Sequence, residues 1–227
     1  MRARGMGLPR VDSASRETAG FAPMGQRRGD AKWPARDRVG PLDGRERIVG
    51  QSVDVDEAVP RRVDADGSLS PVPVPGRILN EIRTHALESR PEECCGLIIG
   101  NENERFVRVE RCRNEMTQKH TEEPQLYPRD GKAAFYMSAS DVLRVEKELR
   151  DTGERVSAVY HSHVGAGAYL SEMDLEYAEH AFFPFPDAHQ IVIEVYGNED
   201  AVGRIGIFRR DGVGRPFQGC LVRPVDR

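Results

Sequence analysis

The chain has 227 residues, a formal net charge of -4 at pH 7, 38% hydrophobic residues and 7% aromatic residues. That length suits one domain with a tail or two small domains, the apolar content is thin for a chain packed throughout, and the charge leaves no whole-chain basic footprint for nucleic acid. No apolar run reaches the ~18 residues of a membrane span, and no apolar segment follows the N-terminal arginines as in a secretory signal, so a cytoplasmic chain with no nucleic-acid or membrane partner is expected.

Residues 1–75 are rich in Pro, Gly, Arg and Asp and show no sustained period of 3.6 or 2. Residues 1–50 carry 11 Lys and Arg against 6 Asp and Glu, and residues 51–75 carry 2 against 5. Such a stretch buries too little apolar surface to offset its ordering entropy. The run "SPVPVPG" then reads as an extended linker, because each proline restricts the residue before it. A disordered tail and linker over residues 1–75, and a domain over 76–227, are the expectation.

Within that domain, "GRILNEIRTHALESR" places Ile78, Leu79, Ile82, His85 and Ala86 on one helical face. "CCGLIIG" is a short apolar run bounded by glycine and reads as a buried strand. "RFVRVERCR" intersperses Phe106, Val107 and Val109 with charges and reads as the next strand. "NEMTQKHTEEPQLYPRDGK" has turn residues and little period, so it reads as a loop. "SASDVLRVEKELRDTG" is a helix on the spacing of Val142, Val145 and Leu149, with Gly153 at its stop. "RVSAVYHSH" alternates as a strand. "SEMDLEYAEHAFF" is a helix that Pro184 and Pro186 prevent from continuing. "HQIVIEVYG" and "GRIGIFRRDG" are two further strands joined by a turn. This order gives an α+β domain, a mixed sheet with helices packed on it.

Four cysteines, Cys94, Cys95, Cys112 and Cys220, contain no CxxC pair. A thiolate metal site or a disulfide framework therefore has little support, and buried thiols are expected.

The chemistry concentrates in "VYHSHVGAGAYLSEMD". Period 2 sends His161 and His163 to the same face of a strand end. Two imidazoles converging there make half of a tetrahedral zinc site. Five small residues follow, leaving room above that face. Ser171 and Asp174 also fit a helix-capping pair, with Ser171 as N-cap and Asp174 in the first turn. That arrangement leaves a rigidly held aspartate able to reach a metal. His85, His120, His180 and His189 stand outside any such pattern.

H-S-H, seven residues, Ser, two residues, Asp resembles the signature of the JAMM (MPN+) metalloproteases, the Mov34/PAD-1 family, in its small prokaryotic form. The family's upstream glutamate matches Glu93 in "PEECCGLIIG", or Glu92 if the alignment slips by one, and Asn114 also looks like a family position. The resemblance covers Gly76 to the C-terminus. It implies a cytidine-deaminase-like MPN fold, with one zinc per chain held by His161, His163 and Asp174 and water in the fourth place. It implies Glu93 as general base and Ser171 as a hydrogen-bond donor to the tetrahedral oxyanion. The substrate class it implies is a peptide or isopeptide bond at the Gly-Gly tail of a ubiquitin-like or sulfur-carrier protein. Some small prokaryotic members act on such carriers, one of them releasing cysteine from the carrier's C-terminus. The loop over 114–130 is expected to wall the groove for that tail. A non-catalytic MPN scaffold and a zinc hydrolase of a small amide are the alternatives.

Overall fold

The structure, a computed structural model, describes residues 61–181 and 183–226. Its strands are β1 (Val63–Asp66), β2 (Val72–Pro75), β3 (Cys95–Gly100), β4 (Arg108–Cys112), β5 (Arg155–Val164), β6 (Tyr169–Leu170), β7 (His189–Val195), β8 (Val202–Arg209) and β9 (Gln218–Val225). Its helices are α1 (Gly76–Glu88), α2 (Met116–Glu122), α3 (Ala139–Leu149) and α4 (Glu172–Glu179). The strands lie in the order β4-β3-β5-β7-β8-β9-β1-β6, with β2 also on β9. β5 runs parallel to β7, while β3, β4 and β8 run antiparallel to their neighbours. The α+β class with a mixed sheet stands as expected.

Alternation along the central strands divides the core. Ile98, Ala158, Tyr160, Ile191 and Ile193 point to the face covered by α1 through Ile78, Leu79 and Ile82. Leu97, Ile99 and Val159 point to the other face and meet Val145 of α3. All six residues of β3 are buried, which fits a strand covered on both sides. His161 and His163 share the side of Val159, two and four residues on. They therefore emerge on the α3 face, where the core gives way to the site.

Three expectations need correction. Residues 63–66 and 72–75, read as tail and linker, are paired strands. β2 lies parallel to β9, from Val72 opposite Val222 to Pro75 opposite Val225, and leads directly into α1. Prolines are tolerated on edge strands, where their missing N–H leaves no gap in the ladder, and the intervening Val74 is fully buried. The proline spacing masked this strand in the sequence. The remainder of the proposed tail, residues 1–60, lies outside the described residues.

Residues 116–122, read as loop, form the short helix α2, which buries only Met116 and so has no apolar stripe to announce it. α4 ends at Glu179, short of the Phe183 expected from the prolines, with His180 already extended at φ -61°, ψ 137°.

Candidate metal centre

β5 delivers His161 and His163, and the first turn of α4 delivers Asp174. Gly165, just past the strand, has φ +76°, a conformation that L side chains rarely adopt and glycine reaches without steric cost. The chain then re-enters as β6, pairing with β1 through Val63 and Leu170. β1 thus anchors the segment that precedes Ser171. Ser171 caps α4: its Oγ accepts from the Asp174 N–H at 3.3 Å, and its own N–H donates to Asp174 Oδ2 at 2.8 Å. This reciprocal cap satisfies helix-end donors and fixes the Asp174 carboxylate, which is 9% exposed.

The three side chains converge. Nε2 of His161 and Nε2 of His163 are 3.2 Å apart. Asp174 Oδ1 is 3.3 Å from His161 Nε2, and Oδ2 is 3.4 Å from His163 Nε2. Zinc binds nitrogen and oxygen at ~2.0–2.2 Å with tetrahedral angles, which sets ligand-to-ligand edges of about 3.3 Å. The three donors stand at that spacing. Among the described residues this is the one group of three or more His, Cys, Asp or Glu side chains close enough to hold an ion. The donor set of two imidazoles and a carboxylate suits a divalent transition metal with an open coordination position, so the residues fit zinc.

The electrostatics follow from this crowding. Burial alone would raise the pKa of Asp174, but the charges and hydrogen bonds of His161 and His163 hold it well below the usual carboxylate range. Burial pushes His161 down despite Asp174. Burial also opposes protonation of His163, yet the bonds and charges of Asp174 outweigh it and raise that histidine. His163 Nδ1 meets the Gly167 carbonyl at 3.0 Å, which holds a proton on Nδ1 and leaves Nε2 as the lone-pair nitrogen. His161 Nδ1 is buried without a hydrogen-bond partner. Its ring is instead stacked on Phe135, with centroids 4.6 Å apart and planes at 26°.

Glu93 is 6% exposed and its carboxyl is pushed up to about 8, mainly by burial, with the nearby charges of His163 and Asp174 acting in opposite directions. Every backbone hydrogen-bonding group of Glu93 is engaged: its N–H donates to Gly131 O at 2.7 Å and its carbonyl accepts from Asn114 Nδ2 at 3.0 Å. Glu92, the alternative by one residue, instead accepts from Thr117 Oγ1 at 2.6 Å. Glu93 lies outside the ligand group itself. Ser171 is at the site, but its hydroxyl donates to Asp174 Oδ2 at 2.7 Å.

Several residues support the site, and of these only Asn114 was marked in the sequence, by the family resemblance. Phe135 and Tyr169 are aromatic neighbours of His161 and His163, the latter with centroids 5.0 Å apart. Arg62 lies 4.4 Å over the Tyr169 ring. Asn114 is a hub whose Oδ1 accepts from the Met116 and Tyr136 N–H groups. The histidines outside the motif are engaged elsewhere: His85 Nδ1 meets Tyr160 Oη at 2.8 Å, and His120 Nδ1 meets Tyr127 O at 2.7 Å. Beyond His163, Gly165, Ala166, Gly167, Glu194, Tyr196 and Gly197 line a groove of about 460 Å³.

The family model described as prokaryotic homologs of the JAB domain matches residues 75–205. Among curated proteins, the chain is similar to proteins named CysO-cysteine peptidase from Mycobacterium bovis and Mycobacterium tuberculosis, 24% identical over 116 residues that cover 51% of this chain and 68% of theirs. Among solved structures, it is similar to a protein from Desulfitobacterium hafniense at 19% identity and a TM-score of 0.44, covering 69% of this chain and 94% of that one. A protein from Salinibacter ruber stands at 23% identity and a TM-score of 0.42, covering 67% and 91%.

Proposed function

The chain belongs to the prokaryotic homologs of the JAB domain, within the JAMM/MPN family, and from that premise we propose that it is a zinc-dependent peptidase. It cleaves a peptide or isopeptide bond at the C-terminal Gly-Gly tail of a ubiquitin-like or sulfur-carrier protein. The observation that carries this reading is the convergence of His161, His163 and Asp174 within 3.2–3.4 Å of one another, beside a buried glutamate whose proton affinity is raised.

His161, His163 and Asp174 would hold the metal, which when bound supplies Lewis acidity and brings the pKa of water from ~15.7 toward ~7. Glu93 accepts a proton from the attacking water and returns it to the leaving amine. Burial suits it to both halves of that transfer, because it raises the proton affinity of the carboxyl, which strengthens it as an acceptor and keeps the proton at hand for the amine. The engaged backbone of Glu93 keeps the carboxyl aimed without reorganisation. Ser171 donates to the developing oxyanion once its hydroxyl turns from Asp174 Oδ2, the partner it has here; such a donor is worth ~100–1,000-fold in turnover.

The sulfur-carrier assignment is supported by the similarity to proteins named CysO-cysteine peptidase. The groove beside His163 also suits a Gly-Gly tail, since three glycines and an alanine make up half of its lining and leave room on that side. The test is incubation of the zinc-loaded full chain with a ubiquitin-fold carrier extended past Gly-Gly by one residue, with mass spectrometry of the products. Loss of that residue, abolished in Glu93→Gln, is expected. An intact carrier alongside turnover of simple amides would assign the site to small amides instead.

A further inference from the structure

The imidazole of His163 has two neighbours that set its direction. Its Nδ1 donates to Gly167 O at 3.0 Å, and its ring meets the Tyr169 ring with centroids 5.0 Å apart and planes at 64°. The hydrogen bond fixes one point of the imidazole, and the aromatic contact limits rotation about that bond. Tyr169 acts a second time through its backbone, because its N–H donates to the same Gly167 carbonyl at 3.1 Å. Where Nε2 of His163 points therefore depends on where Tyr169 is held.

Tyr169 is held from β1. Asp64 lies opposite Tyr169, and Val63 opposite Leu170, in the β1–β6 pair. Arg62, the residue before β1, places its guanidinium carbon 4.4 Å from the centroid of the Tyr169 ring. The guanidinium is itself fixed, since Nε donates to Asp64 Oδ2 at 3.1 Å and Nη2 donates to Asp64 Oδ1. A two-point pair of this kind presents the planar cation in one orientation, and a cation over an aromatic face is attracted by the ring. β1 in turn is fixed by β9, with Ala65 opposite Gly219 and Asp66 opposite Cys220. A Cβ at Gly219 would collide with the Asp64 carbonyl and the Phe208 ring, so the bare position lets β1 lie this close. The family match begins at residue 75, and Arg62, Asp64 and the rest of β1 stand ahead of it.

We propose that Arg62 is a positioning residue for the proposed ligand His163, acting through Tyr169, so that the segment ahead of the matched region is a functional part of the metal centre. The proposal rests on the metal-binding part of the reading above and is independent of its substrate. Coulomb's law alone has the loss of a cation strengthen the binding of a dication. The loss of a positioning residue weakens it, so the sign of the change separates the two effects.

The test is the zinc affinity of the full chain, read by competition with a chelator. Arg62→Ala is expected to bind zinc about 2- to 5-fold more weakly, the range of one exposed cation–ring contact. Arg62→Lys keeps a cation for the ring and should recover most of that loss. Tyr169→Leu keeps the backbone N–H but removes the ring, and should lose about 10- to 100-fold, as outer-shell partners do. Arg62→Ala added to Tyr169→Leu should then cost nothing more, because the two residues act in series. Tyr169→Phe keeps the ring, should bind zinc like the wild type, and should stay sensitive to Arg62→Ala; it carries the same comparison if Tyr169→Leu does not fold.

Unchanged or tighter zinc binding in Arg62→Ala overturns the proposal. So does a loss of the same size in the Tyr169→Leu background, which would mean that the guanidinium acts by another route. A wild-type chain that takes up no zinc overturns the metal reading and this proposal together. A wild type that binds zinc no better than Arg62→Ala overturns this proposal alone.

Discussion

Ser162 and Cys94 exchange two hydrogen bonds at the end of the β3–β5 pair. The Ser162 N–H donates to Cys94 O at 3.1 Å, and Ser162 Oγ accepts from the Cys94 N–H at 2.8 Å. The serine between the two histidines therefore faces away from the metal centre and ties down the residue after Glu93. One side of β5 holds the proposed ligands, and the intervening residue holds Cys94, between the proposed base Glu93 and β3.

Ser162→Ala is expected to leave the buried Cys94 N–H without its acceptor, costing about 1–3 kcal/mol of stability. It should also lower turnover while retaining zinc, since the ligands are untouched and Glu93 is less firmly placed. Denaturant unfolding read beside metal content and kcat checks both parts. A variant as active and as stable as the wild type would show the tie to be dispensable.

Glu93→Gln and His163→Ala are expected to separate chemistry from metal binding. The glutamine variant keeps one zinc per chain and loses at least ~100-fold in turnover, the low end of what a positioned acid–base group contributes. The alanine variant loses zinc. Metal analysis of both proteins, run with the same cleavage assay, distinguishes them; stoichiometric zinc in His163→Ala would place the ion elsewhere.

Phe135 is expected to matter to metal affinity without touching the metal. His161 Nδ1 has no hydrogen-bond partner, so stacking on Phe135 takes over the orienting task that a bonded carbonyl performs for His163. Phe135→Ala should weaken zinc binding by about 10- to 100-fold, the usual cost of losing an outer-shell partner, and Phe135→Tyr should largely preserve it. Competition with a chelator reads the effect directly.

Acid should weaken the fold through two histidines outside the site. Burial lowers His85 to about 4 and His189 to about 4, with nearby arginine charges acting the same way. A histidine depressed in the folded state contributes stability that is complete above its unfolded pKa near 6.5 and is lost as pH falls from there through 4. Each is worth about 1–2 kcal/mol after allowance for its partial solvent exposure. Urea midpoints measured from pH 7 to pH 4 should fall, and they should fall less in His85→Gln and His189→Gln.

Much of the central sheet was legible because its signals are local. The apolar run at Cys95–Gly100, the alternation before His161 and the spacing on α1 each declare an element within a few residues. β1 and β2 were not legible, since their ordering comes from β9, about 150 residues away, and the prolines of β2 mimic a linker. The spacing of His161, His163, Ser171 and Asp174 brought the candidate ligands together on paper. Of their outer support only Asn114 was marked, by the family resemblance; Phe135 and Gly131 were not, because they reach the site only through the path of the loop after β4. Ser162 was in plain view between the histidines, and the period-2 rule that sends it to the opposite face could have marked it.

The central claim is that two imidazoles and one carboxylate enclose a single divalent ion. X-ray absorption at the zinc edge of the reconstituted full chain tests it most directly. One zinc per chain surrounded only by nitrogen and oxygen at ~2.0–2.2 Å, two of the ligands imidazole, is the predicted result. Sulfur ligands at ~2.3 Å, or no bound zinc, would contradict it.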